Sequence, residues 1–209
     1  ITVNSLPAIT VSPSNTTVCT GTSTSLTAAA TGTGISYQWQ VNNGSGFVNI
    51  PALPYYSGAT SPILSIANTP TALNGYQYRC VVTGTCSPAA TTSAATLTVN
   101  TLPAITAAPI NDTICAGNNA SFTIAGTGTA LTYQWQVDDG TGAVNITNGG
   151  VYSGATTPTL TITGAPVSMN MYAYRCVISG ACSPSVTSAL AVLRVNSLPA
   201  IVSNPTNST

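Results

Sequence analysis

The sequence predicts an all-β fold built from tandem β-sandwich domains, and three observations point to it. Hydrophobic residues make up 44% of the chain and alternate with Thr and Ser in short runs. Clusters of Gly, Pro and Asn separate these runs, and such residues favour turns. Finally, the same pattern returns at a constant interval along the chain, which is typical of a repeat protein.

The repeat is 96 residues long, because Trp39 recurs as Trp135 at that separation. The segment 4–9 recurs at 100–105 and 196–201, each time around a Leu-Pro-Ala linker whose Pro restricts the neighbouring backbone. The alignment predicts four parts: residues 1–4 as the end of a preceding repeat, 5–100 as repeat 1, 101–196 as repeat 2, and 197–209 as the start of a following repeat. We therefore expect a stretch of a longer, semi-rigid array.

Within repeat 1, alternation and turn signals predict eight strands. They are expected near residues 8–12, 16–20, 23–30, 36–41, 47–50, 63–67, 76–82 and 91–99. A hairpin turn is expected at Asn42-Asn43-Gly44 and at its counterpart Asp138-Asp139-Gly140, since Asn-Gly and Asp-Gly tolerate positive φ. Asp138 and Asp139 are also oxygen ligands of the kind calcium takes. The uncharged Asn pair at the equivalent place in repeat 1 favours the turn.

Charge excludes several functions. The chain has no His and a net charge of zero, with three basic and three acidic residues. No electrostatic field therefore attracts nucleic acid or an anionic membrane, and no run of about 18 apolar residues predicts membrane insertion. Lys and Glu are absent as well, so a Ser or Cys nucleophile has no base beyond three Asp residues. We predict that the chain is not an enzyme and needs no cofactor or metal.

Six cysteines without a CxxC pair argue against zinc and for an oxidising, extracellular setting. Val82-Thr83-Gly84 has the pattern of a three-residue hairpin loop, which would place Cys80 opposite Cys86. This pairing would leave Cys19 and Cys115 for contacts beyond the repeat. The candidate disulfide residues are Cys19, Cys80, Cys86, Cys115, Cys176 and Cys182.

The spacing of core residues resembles the immunoglobulin superfamily. Leu26 and Ala28 fit its second strand, Trp39 its buried tryptophan, and Asn74 with Tyr78 its D-x-x-x-Y-x-C motif. The resemblance implies that the core markers Trp39, Tyr78, Trp135 and Tyr174 lie between two sheets, with the tyrosines forming the tyrosine corner. The family's second-strand cysteine is replaced by Ala28 and Ile124, so its usual inter-sheet disulfide cannot form.

Four motifs more narrowly resemble the Ig-like repeats of giant Bacteroidota surface proteins: residues 17–21, 37–41, 56–60 and 78–88. This resemblance implies export to the cell surface, by type IX secretion in many relatives, and a structural or adhesive role. It also suggests pairing of Cys19 with Cys86. Asp112-Thr113-Ile114 resembles an O-glycosylation motif of that phylum, which makes Thr113 a candidate site for a solubilising glycan.

Other polar and aromatic residues have simpler interpretations than ligand binding. Arg79 and Arg175 are expected to lie over neighbouring aromatic or Thr side chains. Tyr55, Tyr56 and Tyr152 are of the type that stacks on sugars, but packing over the sandwich edge is favoured. The predicted function is a structural repeat of an extracellular filament, stalk or adhesin, partnered by like repeats or chains. The alternative is a module that binds a glycan or a surface.

Overall fold

The computed structural model describes residues 1–200, and the chain divides between Thr101 and Leu102 into two compact units. In each unit the described regular structure consists of strands and one three-residue 3-10 turn. The all-β class is therefore confirmed. Residues 1–7 and 197–200 carry no strand, and the remainder of the expected third repeat, residues 201–209, lies outside the described part of the chain.

Eleven strands form the first unit, within residues 1–101. They are β1 (Ala8–Val11), β2 (Thr16–Cys19), β3 (Thr24–Thr27), β4 (Ala29–Thr31), β5 (Ser36–Asn42), β6 (Phe47–Asn49), β7 (Tyr56–Ser57), β8 (Ile63–Ile66), β9 (Gln77–Thr83), β10 (Ala90–Thr91) and β11 (Ala95–Asn100). A 3-10 turn, Thr71–Leu73, precedes β9.

These strands form two layers over one core. The larger sheet has the order β2-β11-β9-β5-β6, with β10 paired to β9. Facing it are the sheet β3-β8-β7, which contributes buried side chains to the same apolar cluster, and the pair β1-β4, whose partly buried Ile9 and Ala30 pack against that cluster. Strands β2 and β11 run parallel, from Leu97 opposite Thr16 to Asn100 opposite Cys19.

Two of the predicted strands are divided in the structure. The expected strand 23–30 breaks at Ala28, so that β3 pairs with β8 and β4 pairs with β1. Ala28 is fully buried, and its amide donates to the carbonyl of Pro62 at 2.9 Å. The expected strand 91–99 likewise splits into β10 and β11, both paired with β9. Alternation of polar and apolar residues continues through the first break, from Leu26 past Ala28 to Ala30, which explains why the pattern predicts a single strand there.

The second unit repeats this architecture. Its strands are β12 (Ala104–Ala107), β13 (Asp112–Cys115), β14 (Ala120–Thr123), β15 (Ala125–Thr127), β16 (Thr132–Asp138), β17 (Ala143–Asn145), β18 (Tyr152–Ser153), β19 (Thr159–Ile162), β20 (Ala173–Ser179), β21 (Val186–Thr187) and β22 (Ala191–Asn196). The sheet orders are β13-β22-β20-β16-β17, with β21 on β20, and β14-β19-β18 beside the pair β12-β15. Registers agree as well: Trp39 lies opposite Cys80, and Trp135 lies opposite Cys176.

A tryptophan lies at the centre of each core. Trp39 and Trp135 are fully buried, and each indole N–H donates at 2.9 Å to a loop carbonyl, that of Ser61 or Thr157. Satisfying this donor removes the main cost of burying a tryptophan. Ala28 and Ile124 are packed in the same clusters, where apolar side chains replace the inter-sheet disulfide of the resembled family.

Candidate functional sites: cysteines, tyrosine pairs and turns

The six cysteines divide into two bonded and four free. Cys19 and Cys182 are disulfide-bonded, whereas Cys80, Cys86, Cys115 and Cys176 are free thiols. The predicted Cys80–Cys86 hairpin bond is therefore wrong. The Cys19–Cys86 pairing suggested by the resemblance is wrong for the same reason.

Strand register explains why the hairpin bond does not form. Val82 on β9 lies opposite Ala90 on β10, so the connecting loop spans residues 84–89 rather than three residues. Thr92 takes the place opposite Cys80: its amide donates to the Cys80 carbonyl at 2.9 Å, and its hydroxyl accepts from the Cys80 amide at 2.9 Å. Pro88 is the residue of the sequence that indicates a longer loop. A strand starting directly after Gly84 would contain this proline, which cannot donate a hydrogen bond to a neighbouring strand.

Cys80 and Cys176 are core thiols. Both are fully buried beside the tryptophan of their repeat. Burial raises the pKa of the Cys176 thiol to about 11 and also raises the pKa of Cys80, because the thiolate loses hydration in an apolar core. Such protonated, inaccessible thiols are poor nucleophiles. These two cysteines act as small apolar residues.

Cys115 and Cys86 are the surface thiols. Cys115 ends β13 and is exposed, whereas Cys86 lies in the loop after β9 and is half-buried. Their counterparts in the other repeat are Cys19 at the end of β2 and Cys182 in the loop after β20. We call Cys19 and Cys115 the strand-end cysteines, and Cys86 and Cys182 the loop cysteines.

A pair of tyrosines lies at one edge of each sandwich. The Tyr78 and Tyr56 hydroxyls are 2.9 Å apart, and those of Tyr174 and Tyr152 are 3.2 Å apart. Burial raises the pKa of Tyr56 to about 12, and it raises the pKa of Tyr78 further because Tyr78 is fully buried. Tyr78 and Tyr174 occupy the expected core positions, but the tyrosine corner's bond to the backbone is replaced by a bond between side chains.

Repeat 1 has one more tyrosine than repeat 2 beside this pair, Tyr55. Tyr55 packs edge-on against Tyr56 with ring centroids 4.6 Å apart. Together with Tyr76, Val48 and Leu53 these rings line a groove of about 190 Å³. In repeat 2, Val151 and Gly149 stand at the positions of Tyr55 and Leu53. Repeat 2 keeps the other two rings as Tyr152 and Tyr172, so that only the Tyr55 ring and the Leu53 side chain are specific to repeat 1.

The two Asp residues of repeat 2 hold a turn. Asp138 Oδ1 accepts hydrogen bonds from the amides of Gly140 and Gly142 at 2.9 and 3.1 Å. Asn42 Oδ1 makes the same two bonds in repeat 1, at 2.8 and 2.9 Å. Asp139 accepts from the Thr141 hydroxyl at 2.6 Å, and this bond holds the pKa of Asp139 below its usual range. The carboxylates thus serve the turn, as the Asn pair predicts.

Arg79 lies over an aromatic ring, as expected. Its guanidinium carbon is 4.0 Å from the centre of the Phe47 ring, and its Nε donates to Gln40 Oε1 at 2.9 Å. Arg175 makes the equivalent bond to Gln136 at 2.7 Å. Both guanidinium groups are thus held by neighbours on the larger sheet.

Asparagine side chains that sequence reasoning missed hold the ends of β11 and β22. Asn15 Oδ1 accepts from the amide of Thr96 at 2.8 Å, and Asn74 Oδ1 from that of Val99 at 2.9 Å. Asn111 and Asn170 repeat these bonds in the second unit at 2.8 and 3.0 Å. These asparagines recur after 96 residues, which indicates a structural role. The recurrence does not reveal which amide each side chain binds.

Thr113 is exposed on β13, an edge strand of its sheet. Its amide donates to Asp112 Oδ1 at 2.8 Å. Within residues 1–200, no group of three or more His, Cys, Asp or Glu is placed to hold a metal ion. The same residues include no helix long and apolar enough to span a membrane.

Solved structures with the same architecture are immunoglobulin tandems. An I-band fragment of titin aligns over 94% of this chain and 67% of its own, with 17% identity and a TM-score of 0.71. Sidekick-1 immunoglobulin domains 1–5 align over 93% of this chain and 40% of their own, with 20% identity and a TM-score of 0.67. The N-terminal eight Ig domains of Down Syndrome Cell Adhesion Molecule align over 92% and 25%, with 15% identity and a TM-score of 0.69.

The chain is a tandem of immunoglobulin-like domains. At these identities the likeness establishes the fold alone. The chain spans between a quarter and about two thirds of the length of these three structures. Residues 8–101 match a family model described as a domain of unknown function, DUF8696. A comparison with curated protein sequences gives no match.

Proposed function

We propose that this chain is a structural module of an extracellular surface protein, in which copies of one Ig-like domain set the length of a stalk or filament. One observation carries the proposal: both units keep the same strand order, registers and polar bonds at a spacing of 96 residues. A domain selected for one ligand site would be expected to differ between copies at that site, whereas a spacer needs only to be repeated.

Composition supports assembly with like chains. With a net charge of zero, the surface lacks the repulsion that keeps many domains apart. Each larger sheet also ends in exposed edge strands, β2 and β6 in repeat 1, which offer backbone groups to a neighbour. A glycan on Thr113 would cover the corresponding edge, β13, in repeat 2. In this proposal, glycosylation of Thr113 therefore controls whether repeat 2 packs laterally against a neighbouring chain.

The disulfide supports an extracellular location, because such bonds persist in oxidising compartments. The motifs shared with Bacteroidota surface proteins support export to a cell surface. Labelling intact and permeabilised cells with an antibody against the chain tests this. Equal labelling of both is the supporting outcome, and labelling only after permeabilisation would contradict it.

Electron microscopy of the native material tests the stalk. We expect an axial repeat of about 35–45 Å per domain, from strands of ordinary length with their loops. A particle in which the chain adds no regular axial repeat would contradict the spacer function.

The groove lined by Tyr55 and Tyr56 favours a second function, glycan binding by repeat 1. Half-buried aromatic rings beside apolar side chains suit the faces of sugar rings, and the groove's volume is that of a small site. A glycan array probed with the chain tests it, with Tyr55→Ala as the disrupting variant and Val151→Ala as the matched control. Binding that Tyr55→Ala abolishes and Val151→Ala retains would support this function over the spacer.

A further inference from the structure

We propose that the strand-end cysteine of one copy of this repeat forms a disulfide with the loop cysteine of another copy, so that Cys115 and Cys86 are the two halves of such links. This inference rests on the proposed function, because it requires further copies of the repeat beside this chain. In this proposal, Cys115 pairs with the loop cysteine of a further copy, and Cys86 pairs with the strand-end cysteine of a further copy.

The first argument is the pattern of bonded and free cysteines. Of the strand-end cysteines, Cys19 is disulfide-bonded and Cys115 is free. Of the loop cysteines, Cys182 is bonded and Cys86 is free. One cysteine of each kind is therefore bonded while its equivalent, in the same fold with the same strand register, is not. Disulfide formation is thus within the capacity of both positions.

The second argument is that neither Cys86 nor Cys115 is bonded to a cysteine of its own repeat. Cys80 and Cys86 are free in repeat 1, and Cys115 and Cys176 are free in repeat 2. What Cys115 and Cys86 lack is therefore a partner from another copy.

The third argument is accessibility. Cys115 is exposed and Cys86 is half-buried at the surface, whereas Cys80 and Cys176 are fully buried. Only the surface thiols can meet a cysteine of another copy. A link between two different positions is also heterologous, and a heterologous contact extends from copy to copy without self-pairing.

The chemistry is thiol–disulfide exchange with a disulfide-bearing oxidant, either a protein of the oxidoreductase class or oxidised glutathione. The thiolate of Cys115 attacks a sulfur of the oxidant and forms a mixed disulfide, and one oxidant thiolate leaves. The loop cysteine's thiolate then attacks the Cys115 sulfur and releases the second. One S–S bond forms and one breaks, the two protein thiols are oxidised, and their protons go to the two departing thiolates.

The test uses the full chain lengthened by one more copy of residues 101–196 after Asn196. Both the 209-residue chain and the lengthened chain are equilibrated with a mixture of oxidised and reduced glutathione, which forms protein disulfides and resolves mixed ones, and are then treated under native conditions with iodoacetamide. They are digested without reduction and mapped by mass spectrometry. In the 209-residue chain Cys115 should be alkylated. In the lengthened chain its alkylation should be almost completely lost, and a peptide should link Cys115 to the loop cysteine of the added copy.

Two matched variants identify the partner. The Cys182→Ser change made only in the added copy should restore the alkylation of Cys115. The Cys176→Ser change made only in that copy should leave Cys115 blocked. Overturning results are a Cys115 that stays alkylated in the lengthened chain, or one that is linked to any residue other than the added loop cysteine. A regular axial repeat in native material alongside such a result would refute the disulfide while leaving the spacer function intact.

Discussion

The paired tyrosine hydroxyls are the main polar feature of an otherwise apolar edge of each core. Tyr78 is fully buried, whereas Tyr56 is half-buried. If the hydrogen bond between them is lost, water can therefore reach the Tyr56 hydroxyl more easily than the Tyr78 hydroxyl. This asymmetry makes the pair a sensitive measure of what a buried hydrogen bond contributes.

We expect Tyr56→Phe to destabilise repeat 1 more than Tyr78→Phe does. Removing the Tyr56 hydroxyl leaves the Tyr78 hydroxyl buried without a partner, which costs about 1–3 kcal/mol. Removing the Tyr78 hydroxyl leaves Tyr56 near solvent and should cost about 0.5–1.5 kcal/mol. Urea unfolding of both single variants and the double variant measures this. Equal losses, or a double variant whose loss is the sum of the two, would contradict the paired bond.

Stability should fall at alkaline pH through the same residues. An unfolded tyrosine ionises near pH 10, whereas burial raises the pKa of Tyr56 to about 12. The folded state therefore holds the proton more tightly, so this contribution is complete below about pH 10 and is lost as the pH rises toward 12. Denaturant midpoints measured from pH 9 to 12 should decline less steeply in the Tyr56→Phe, Tyr78→Phe double variant. Parallel slopes for that variant and the parent chain would exclude this origin.

At the level of residues, the sequence predicted which side chains are buried, but it did not predict their hydrogen-bond partners. The spacing that places Trp39 and Tyr78 in the core needs only strand periodicity. The Tyr56–Tyr78 bond and the Thr92–Cys80 bonds depend on how a loop returns over the sheet, which periodicity does not encode. The disulfide prediction failed at this point, because it assumed a tight hairpin where the loop is longer.

Turn elements show how one geometry accepts two chemistries. Asn42 and Asp138 each accept two amide hydrogen bonds across equivalent turns. Charge is therefore incidental to the turn, and the side-chain oxygen is the required group. The same equivalence lets each repeat serve as the other's control.

We expect Asp138→Asn to leave the unfolding free energy of repeat 2 unchanged within about 0.5 kcal/mol, because Asn already makes both bonds in repeat 1. Asp138→Ala should cost about 1 kcal/mol by removing the acceptor, and Asn42→Ala should cost a similar amount in repeat 1. Thermal unfolding with and without millimolar calcium completes the test, with no calcium effect expected. Stabilisation by calcium that Asp138→Asn removes would show a metal site instead.

Strand boundaries were the part of each element that the sequence predicted least well. The strand predicted at 23–30 changes sheets at Ala28, and nothing in the alternation of polar and apolar residues marks that change. The two-residue strand β7 was not predicted either, because so short a run has no period to read. In contrast, the long strands β5 and β9 carry strong alternation and were predicted within a residue or so at each end.

For the whole molecule, the constant period was the most informative signal, since it gave the repeat length before any strand was assigned. Among the described residues, strands β1 to β11 pair only with one another, and strands β12 to β22 likewise pair only with one another. Each unit also has its own apolar cluster. We therefore expect each unit to fold independently.

We expect residues 102–209 expressed alone to fold. Near-ultraviolet circular dichroism should show a fixed environment for Trp135, and denaturant should unfold the fragment in one cooperative transition. Residues 1–101 provide the matched fragment, with Trp39 as the reporter. A fragment that lacks the near-ultraviolet signal and unfolds gradually would show that its sandwich is incomplete without a neighbour.

The parallel pairing of β2 with β11 determines how a repeat responds when it is pulled. The first of these strands lies near the start of the repeat and the second at its end, and their four paired positions run in the same direction. Tension applied along the chain therefore draws the two strands past each other, so that the hydrogen bonds between them are loaded together in shear. An antiparallel terminal pair would open like a zipper, one bond at a time. A repeat built this way should resist stretching until β2 and β11 separate in a single event, and in the stalk that we propose it would carry load without lengthening.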